Sequence, residues 1–152
     1  MYMIILVIVL IMVVSLVFLS KFRRAYKRRV INKLIKEYPV FGGCRVKLYN
    51  KKYTDGKTLG YFSEGKRVVV VCMHNPLEEI MDTYLHERRH SEQALSNNLE
   101  LNSMYNNSTG YRNWLENFKK DSLSFDQYYY LEHEVDAREW ASKTLKEYLA
   151  NN

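Results

Sequence analysis

Residues 2–19 are apolar or aromatic at every position except Ser15. A helix rises 1.5 Å per residue, so about twenty such residues cross the hydrocarbon core of a bilayer. The run predicts a transmembrane helix, with Phe22 and Tyr26 extending its interfacial end. Phe22, Tyr26, Val30 and Leu34 then recur at every fourth position with bases between them. That pattern predicts helix continuing over residues 20–38, stopped by Pro39, which disfavours helix in the residue before it. Phe41-Gly42-Gly43 reads as a hinge into a separate domain.

Over residues 44–74 the period changes. Arg45-Val46-Lys47-Leu48-Tyr49 alternates polar and apolar, as a half-buried strand does. Asp55-Gly56 and Glu64-Gly65 are turn signals flanking a short strand at Leu59-Gly60-Tyr61-Phe62. Val68 to Cys72 is a continuous β-branched run, expected to be central or covered on both faces. Three short strands joined by tight turns predict an antiparallel meander.

Asn75-Pro76 has the form of a helix start, Asn as cap and Pro at the first helical position. Glu78, Glu79 and Asp82 suit the positive end of its dipole. Leu77, Met81, Tyr84 and Leu85 make an apolar stripe, and the helix is expected to reach Leu95. Residues 96–110 are rich in Asn and Ser and predict a loop, with a short helix near residues 99–105 and another over 111–119. Residues 123–130 lead to a final helix over 131–149, whose apolar candidates are Val135, Trp140, Leu145, Tyr148 and Leu149. The expected organisation is an anchor (1–20), a basic juxtamembrane helix (21–39) and one small α+β domain (40–152).

Charge changes this picture at one place. The net charge is +6, but residues 21–36 hold eight of the 23 Lys+Arg and no acid, and the remainder has 15 bases against 17 acids. A nucleic-acid binder spreads basic charge over a folded face, so no nucleic acid is expected as a partner. Bases beside a span act as a topology signal and lie near anionic lipid. A cleaved signal peptide would want bases before the apolar run and a small-residue cleavage site. Nothing basic precedes Tyr2, and the run leaves into Lys21-Phe22-Arg23-Arg24. The expectation is a single-pass membrane protein with its C-terminal domain in the cytoplasm. Cys44 and Cys72 form no CxxC pair and read as free thiols.

The candidate chemistry sits on the helix after Pro76: His86-Glu87-Arg88-Arg89-His90, an HExxH. Positions i and i+4 share a helix face, so two imidazoles can converge on one metal ion. The Glu between them can take a proton from metal-bound water, whose pKa zinc lowers to about 7. An acidic cluster, Glu132-His133-Glu134-Val135-Asp136-Ala137, follows on a later helix.

HExxH on one helix with a glutamate on a later one resembles the gluzincin branch of zincin metallopeptidases. Glu134-Val135-Asp136-Ala137-Arg138-Glu139-Trp140-Ala141 is similar to the E-x-E-A-N/D-x-F-A stretch of small ImmA/IrrE-like and phage-type metallopeptidases. The resemblance implies a minimal zincin-like fold. It implies His86, His90 and Glu134 as ligands of a Zn2+ ion, Glu87 as general base, and a protein or peptide substrate aligned by the strand before the motif. Arg88, Arg89 and Arg138 depart from the pattern, since uncharged residues, and Asn or Asp, are usual there. An alternative register makes Glu132 the third ligand with Asp136 supporting a histidine. His133 and His74 are further donors, and Cys44, Cys72, His86 and His90 are a conceivable structural set. Tyr128, Tyr129 or Tyr130 could stabilise an oxyanion. Two non-enzymatic readings also stand: a catalytically inactive zincin-like membrane-tethered binding module, and an assembly protein without metal.

Overall fold

A computed structural model of the chain describes residues 2–50, 58–119 and 129–152. The fold is α+β, with a three-stranded sheet and, among the described residues, helices α1 (Tyr2–Glu37), α2 (Leu77–Leu95), α3 (Leu99–Lys119) and α4 (Glu132–Asn151). The chain divides into two compact units, residues 1–36 and 37–152.

The first unit is most of α1. The expected anchor and juxtamembrane helix form this one uninterrupted helix. Side chains from Ile5 to Leu19 are exposed along it. Its length and composition suffice to cross a membrane.

In the second unit the strands are β1 (Arg45–Tyr49), β2 (Gly60–Ser63) and β3 (Val68–Cys72). Each forms where its sequence pattern places it, but the expected antiparallel meander is wrong. The order is β1-β3-β2, with β1 parallel to β3 and β2 antiparallel to it. The middle strand is also the most buried: Val69 and Val71 are wholly buried and Val70 and Cys72 nearly so, which suits a strand paired on both edges and covered on both faces. The Glu64-Gly65 turn is present, closed by Arg67 N–H donating to Glu64 O at 3.0 Å. The Asp55-Gly56 signal lies outside the described residues.

Gly42 and Gly43 both take positive φ, +61° and +68°, in the turn that leads from residues 38–41 into β1. A Cβ on Gly42 would come within 2.7 Å of the Leu95 side chain, so only glycine fits both its φ and its neighbour.

Helix α2 reaches Leu95 as expected and packs against β2, β3, α3 and α4. Its start differs: Pro76, not Asn75, stands at the cap position, with no side-chain cap bond. The larger difference is α3, one continuous helix where the expectation was a loop over residues 96–110 holding a short helix near 99–105, then a second helix over 111–119. Asn98 starts it, its Oδ1 accepting from the backbone N–H groups of Glu100 and Leu101 at 3.1 and 3.2 Å. Burial of Leu101 and Ser108 fixes its inner face. Tertiary contact thus overrides a polar, glycine-containing composition.

Helix α4 buries a stripe of Glu134, Ala137, Ala141, Leu145 and Tyr148, spaced at three and four residues. The two alanines are fully buried, letting α4 approach closely. Of the other expected core residues, Val135 and Trp140 are half-buried, and Leu149 is exposed because it falls off the stripe.

Candidate metal centre

Two helices supply the cluster. On α2, His86 and His90 lie one turn apart, with Nε2 atoms 3.0 Å from each other. From α4, Glu134 brings Oε2 to 3.2 Å from His86 Nε2 and Oε1 to 3.5 Å from His90 Nε2. His90 and Glu134 are buried, and His86 is partly open. These three side chains offer ligand atoms all within 4.8 Å of one another.

The spacing can be tested against metal chemistry. Zinc–ligand bonds of 2.0–2.1 Å at tetrahedral angles set donor atoms about 3.3 Å apart. The three separations straddle that value. Two imidazoles and one carboxylate are also a donor set zinc accepts. The cluster is therefore close enough, and of the right chemistry, to hold a metal ion.

Glu87 lies beside it, 9 % exposed. Burial pushes its carboxyl above the ordinary carboxylate range, against the pull of His90 and His86, while Glu134 pushes the same way as burial. The backbone N–H of Phe62 on β2 donates to it and favours the charged form. Gly60 on the same strand makes this approach possible, since a Cβ there would meet Thr83 Cγ2 at 2.6 Å and Val70 O at 2.7 Å.

Of the two arginines inside the HExxH segment, Arg88 is buried and Arg89 half-buried. The Arg88 guanidinium sits 4.6 Å from the Phe41 ring and 4.6 Å from the Trp140 ring. It donates to Pro39 O at 3.3 Å and to Glu92. Arg89 grips both oxygens of Asp136 at 2.7 and 2.9 Å. Burial pushes the Asp136 carboxyl up, but the bonds from Arg89 and Gln93 outweigh it and hold the group below its ordinary value.

Other sequence candidates are distributed differently. Glu132 is exposed, facing away from the cluster, and His74 is exposed. Cys44 is half-buried and Cys72 buried, and neither joins the three-residue cluster. Tyr129 and Tyr130 line a separate hollow on the outer side of α4 together with Arg138, and Tyr128 lies outside the described residues. His133 does face the site, its Nε2 3.5 Å from Glu134 Oε1.

Sequence reasoning missed three neighbours. Tyr105 and Thr109 of α3 help line the 200 Å³ cavity that opens onto Glu87, His90 and Glu134. Both fall within residues 96–110, read as a loop with a short helix near residues 99–105. Gln93 is the third, fully buried three residues past the motif. Its helical spacing, i+3 from His90, was the available signal.

The strand beside the site is also not the one expected. Both edges of β3 are paired, by β1 and β2, so it has no free edge to offer a substrate. The strand next to Glu87 is β2. No protein-family model, curated protein or solved structure matches this chain.

Proposed function

We propose that the chain is a membrane-anchored, zinc-dependent metallopeptidase. The observation that carries this reading is the convergence of His86, His90 and Glu134 from two helices at metal-ligand spacing, with buried Glu87 adjoining them. In it, His86, His90 and Glu134 hold one zinc ion. A zinc ion so held supplies an activated water and polarises a scissile carbonyl. Glu87 accepts a proton from the attacking water and returns it to the leaving amine. Its burial favours that role, because a raised pKa brings a carboxylate nearer to working as acid and base by turns.

The substrate is an extended peptide lying along β2. Among the described residues β2 pairs with β3 alone. Leu59 O accepts from Cys72 N–H at 2.8 Å, which by alternation turns the backbone groups of Gly60 and Phe62 to the open edge. The Phe62 N–H is already committed to Glu87, leaving the Phe62 carbonyl and both Gly60 groups for a peptide.

Helix α1 is the anchor. The bases at 21–29 keep the end of the span that they flank in the cytoplasm, and with it the catalytic unit.

The test uses the full chain in detergent. The purified protein should carry about one zinc per chain and cleave peptides in a mixed library. Glu87→Gln should keep the metal and lose cleavage. A chain that refuses zinc overturns the reading; one that binds zinc but cleaves no peptide is a binding module instead.

A further inference from the structure

Gln93 is wholly buried, and both polar atoms of its side chain are bonded. Oε1 lies 2.7 Å from His90 Nδ1. Nε2 donates to Asp136 Oδ2 at 2.7 Å and to the His133 backbone carbonyl at 2.8 Å. The orientation of the amide follows from its partners. Reversed, it would set Oε1 against two acceptors, the His133 carbonyl and the Asp136 carboxylate.

With the amide fixed, so is the proton on His90. An amide oxygen only accepts, so Nδ1 carries the hydrogen, and whenever the ring is neutral its Nε2 lone pair is bare. Nε2 is the atom that lies 3.0 Å from His86 Nε2 and 3.5 Å from Glu134 Oε1. Behind the amide, Asp136 is fixed in turn by both its bonds from Arg89. The order of bonds is therefore His90 N–H to Gln93, Gln93 N–H to Asp136, and Arg89 N–H to Asp136. Metal-bound histidines commonly donate their second N–H directly to a carboxylate or carbonyl; here a buried amide stands between imidazole and carboxylate.

We propose that Gln93 is a positioning residue of the metal centre, held by Asp136 and Arg89, which sets His90 in the Nδ1–H form with Nε2 directed at His86 and Glu134. This rests on the metal-site reading above, but it concerns the metal-free chain as well. It also assigns a purpose to the second arginine of the motif: Arg89 braces the carboxylate that holds the amide.

The decisive measurement is the tautomer of His90 in metal-free full-length protein, by ring-nitrogen NMR with ¹⁵N-histidine labelling in detergent micelles above the titration of the ring. His90→Asn assigns the signals. The wild-type chain should show a protonated Nδ1 and a bare Nε2. Gln93→Met, similar in volume and unable to accept the bond, should lose that preference and bind zinc about 10- to 100-fold more weakly in competition with a chromophoric chelator.

A wild-type His90 protonated at Nε2 overturns the proposal, as does a Gln93→Met chain with unchanged tautomer and zinc affinity. Should Gln93→Met not fold, the wild-type spectrum decides. Failure of the wild-type chain to bind zinc would remove the peptidase reading, while the tautomer would still test the role of Gln93.

Discussion

On one side of α2, His86, Glu87 and His90 face Glu134, the Phe62 backbone and the cavity lined by Tyr105. On the other side, Tyr84, Arg88 and Ser91 hold residues 38–41. Tyr84 Oη donates to Tyr38 O at 2.6 Å, Arg88 Nε to Pro39 O at 3.3 Å, and Phe41 N–H to Ser91 Oγ at 3.1 Å. Both faces gather polar groups at helical spacing, yet they use them oppositely. The back face commits its polar groups to backbone partners and ends neutral or paired. The front face brings two carboxylates and two imidazoles together, an arrangement costly to bury unless a cation or shared protons offset the charge. Polar groups on one face stabilise the fold; on the other, folding holds together groups that do little for it.

That contrast can be broken most sharply at α4. Glu134 and Glu132 are two residues apart, about 200° around the helix, and one is buried while the other is exposed. Glu134→Ala removes a carboxylate and its charge from the cluster. It should abolish most zinc binding while leaving folding stability about equal or higher, because one buried charge is gone. Glu132→Ala should change neither by more than about 0.5 kcal/mol. Zinc titration and denaturant unfolding of both variants measure the pair. Loss of zinc with Glu132→Ala and retention with Glu134→Ala would move the metal away from the cluster and end the comparison.

How far this contrast was legible in the sequence differs between its parts. Local periodicity carried the HExxH helix, the buried valine strand and the placing of Glu134 and Ala137 on one helix. It could not carry pairing order, because a period of two assigns faces and says nothing of neighbours. Arg88 and Arg89 looked out of place because their partners, Pro39 and Asp136, are 49 and 47 residues away. Composition misled at α3, where Asn98 caps a helix that the surrounding Asn and Ser disguise. Tyr105 was hidden with it.

Arg88 tests the back face. Its guanidinium packs between Phe41 and Trp140 and bonds Glu92. Arg88→Leu keeps apolar bulk but removes the cation–π contacts and the bond to Pro39 O, each worth about 1 kcal/mol. Stability should fall by about 2–3 kcal/mol in denaturant unfolding. Zinc affinity should not change, since Arg88 touches none of His86, His90 or Glu134. A variant that loses zinc in proportion to stability would show that the two faces are not separable.

The smallest change is the cleanest. Tyr84 is fully buried and reaches Tyr38 O through its hydroxyl alone. Tyr84→Phe removes one oxygen, leaves the ring where it packs, and strips the Tyr38 carbonyl of that donor. The hydroxyl is desolvated in the folded chain, so its loss costs only the net value of one hydrogen bond, about 1 kcal/mol. If the back face is purely a clamp, the whole of that loss should appear in unfolding, with zinc affinity and the His90 tautomer as in the wild type. Tyr84 and His86 lie two residues apart on α2, about 200° around its axis, so no direct contact could carry an effect from one to the other. Any change in zinc affinity would therefore have to pass through the helix backbone or through residues 38–41. A shift beyond about threefold, with stability lost by no more than about 1 kcal/mol, would mean that release of those residues moves the imidazoles. The two faces would then be one coupled device instead of a clamp and a site.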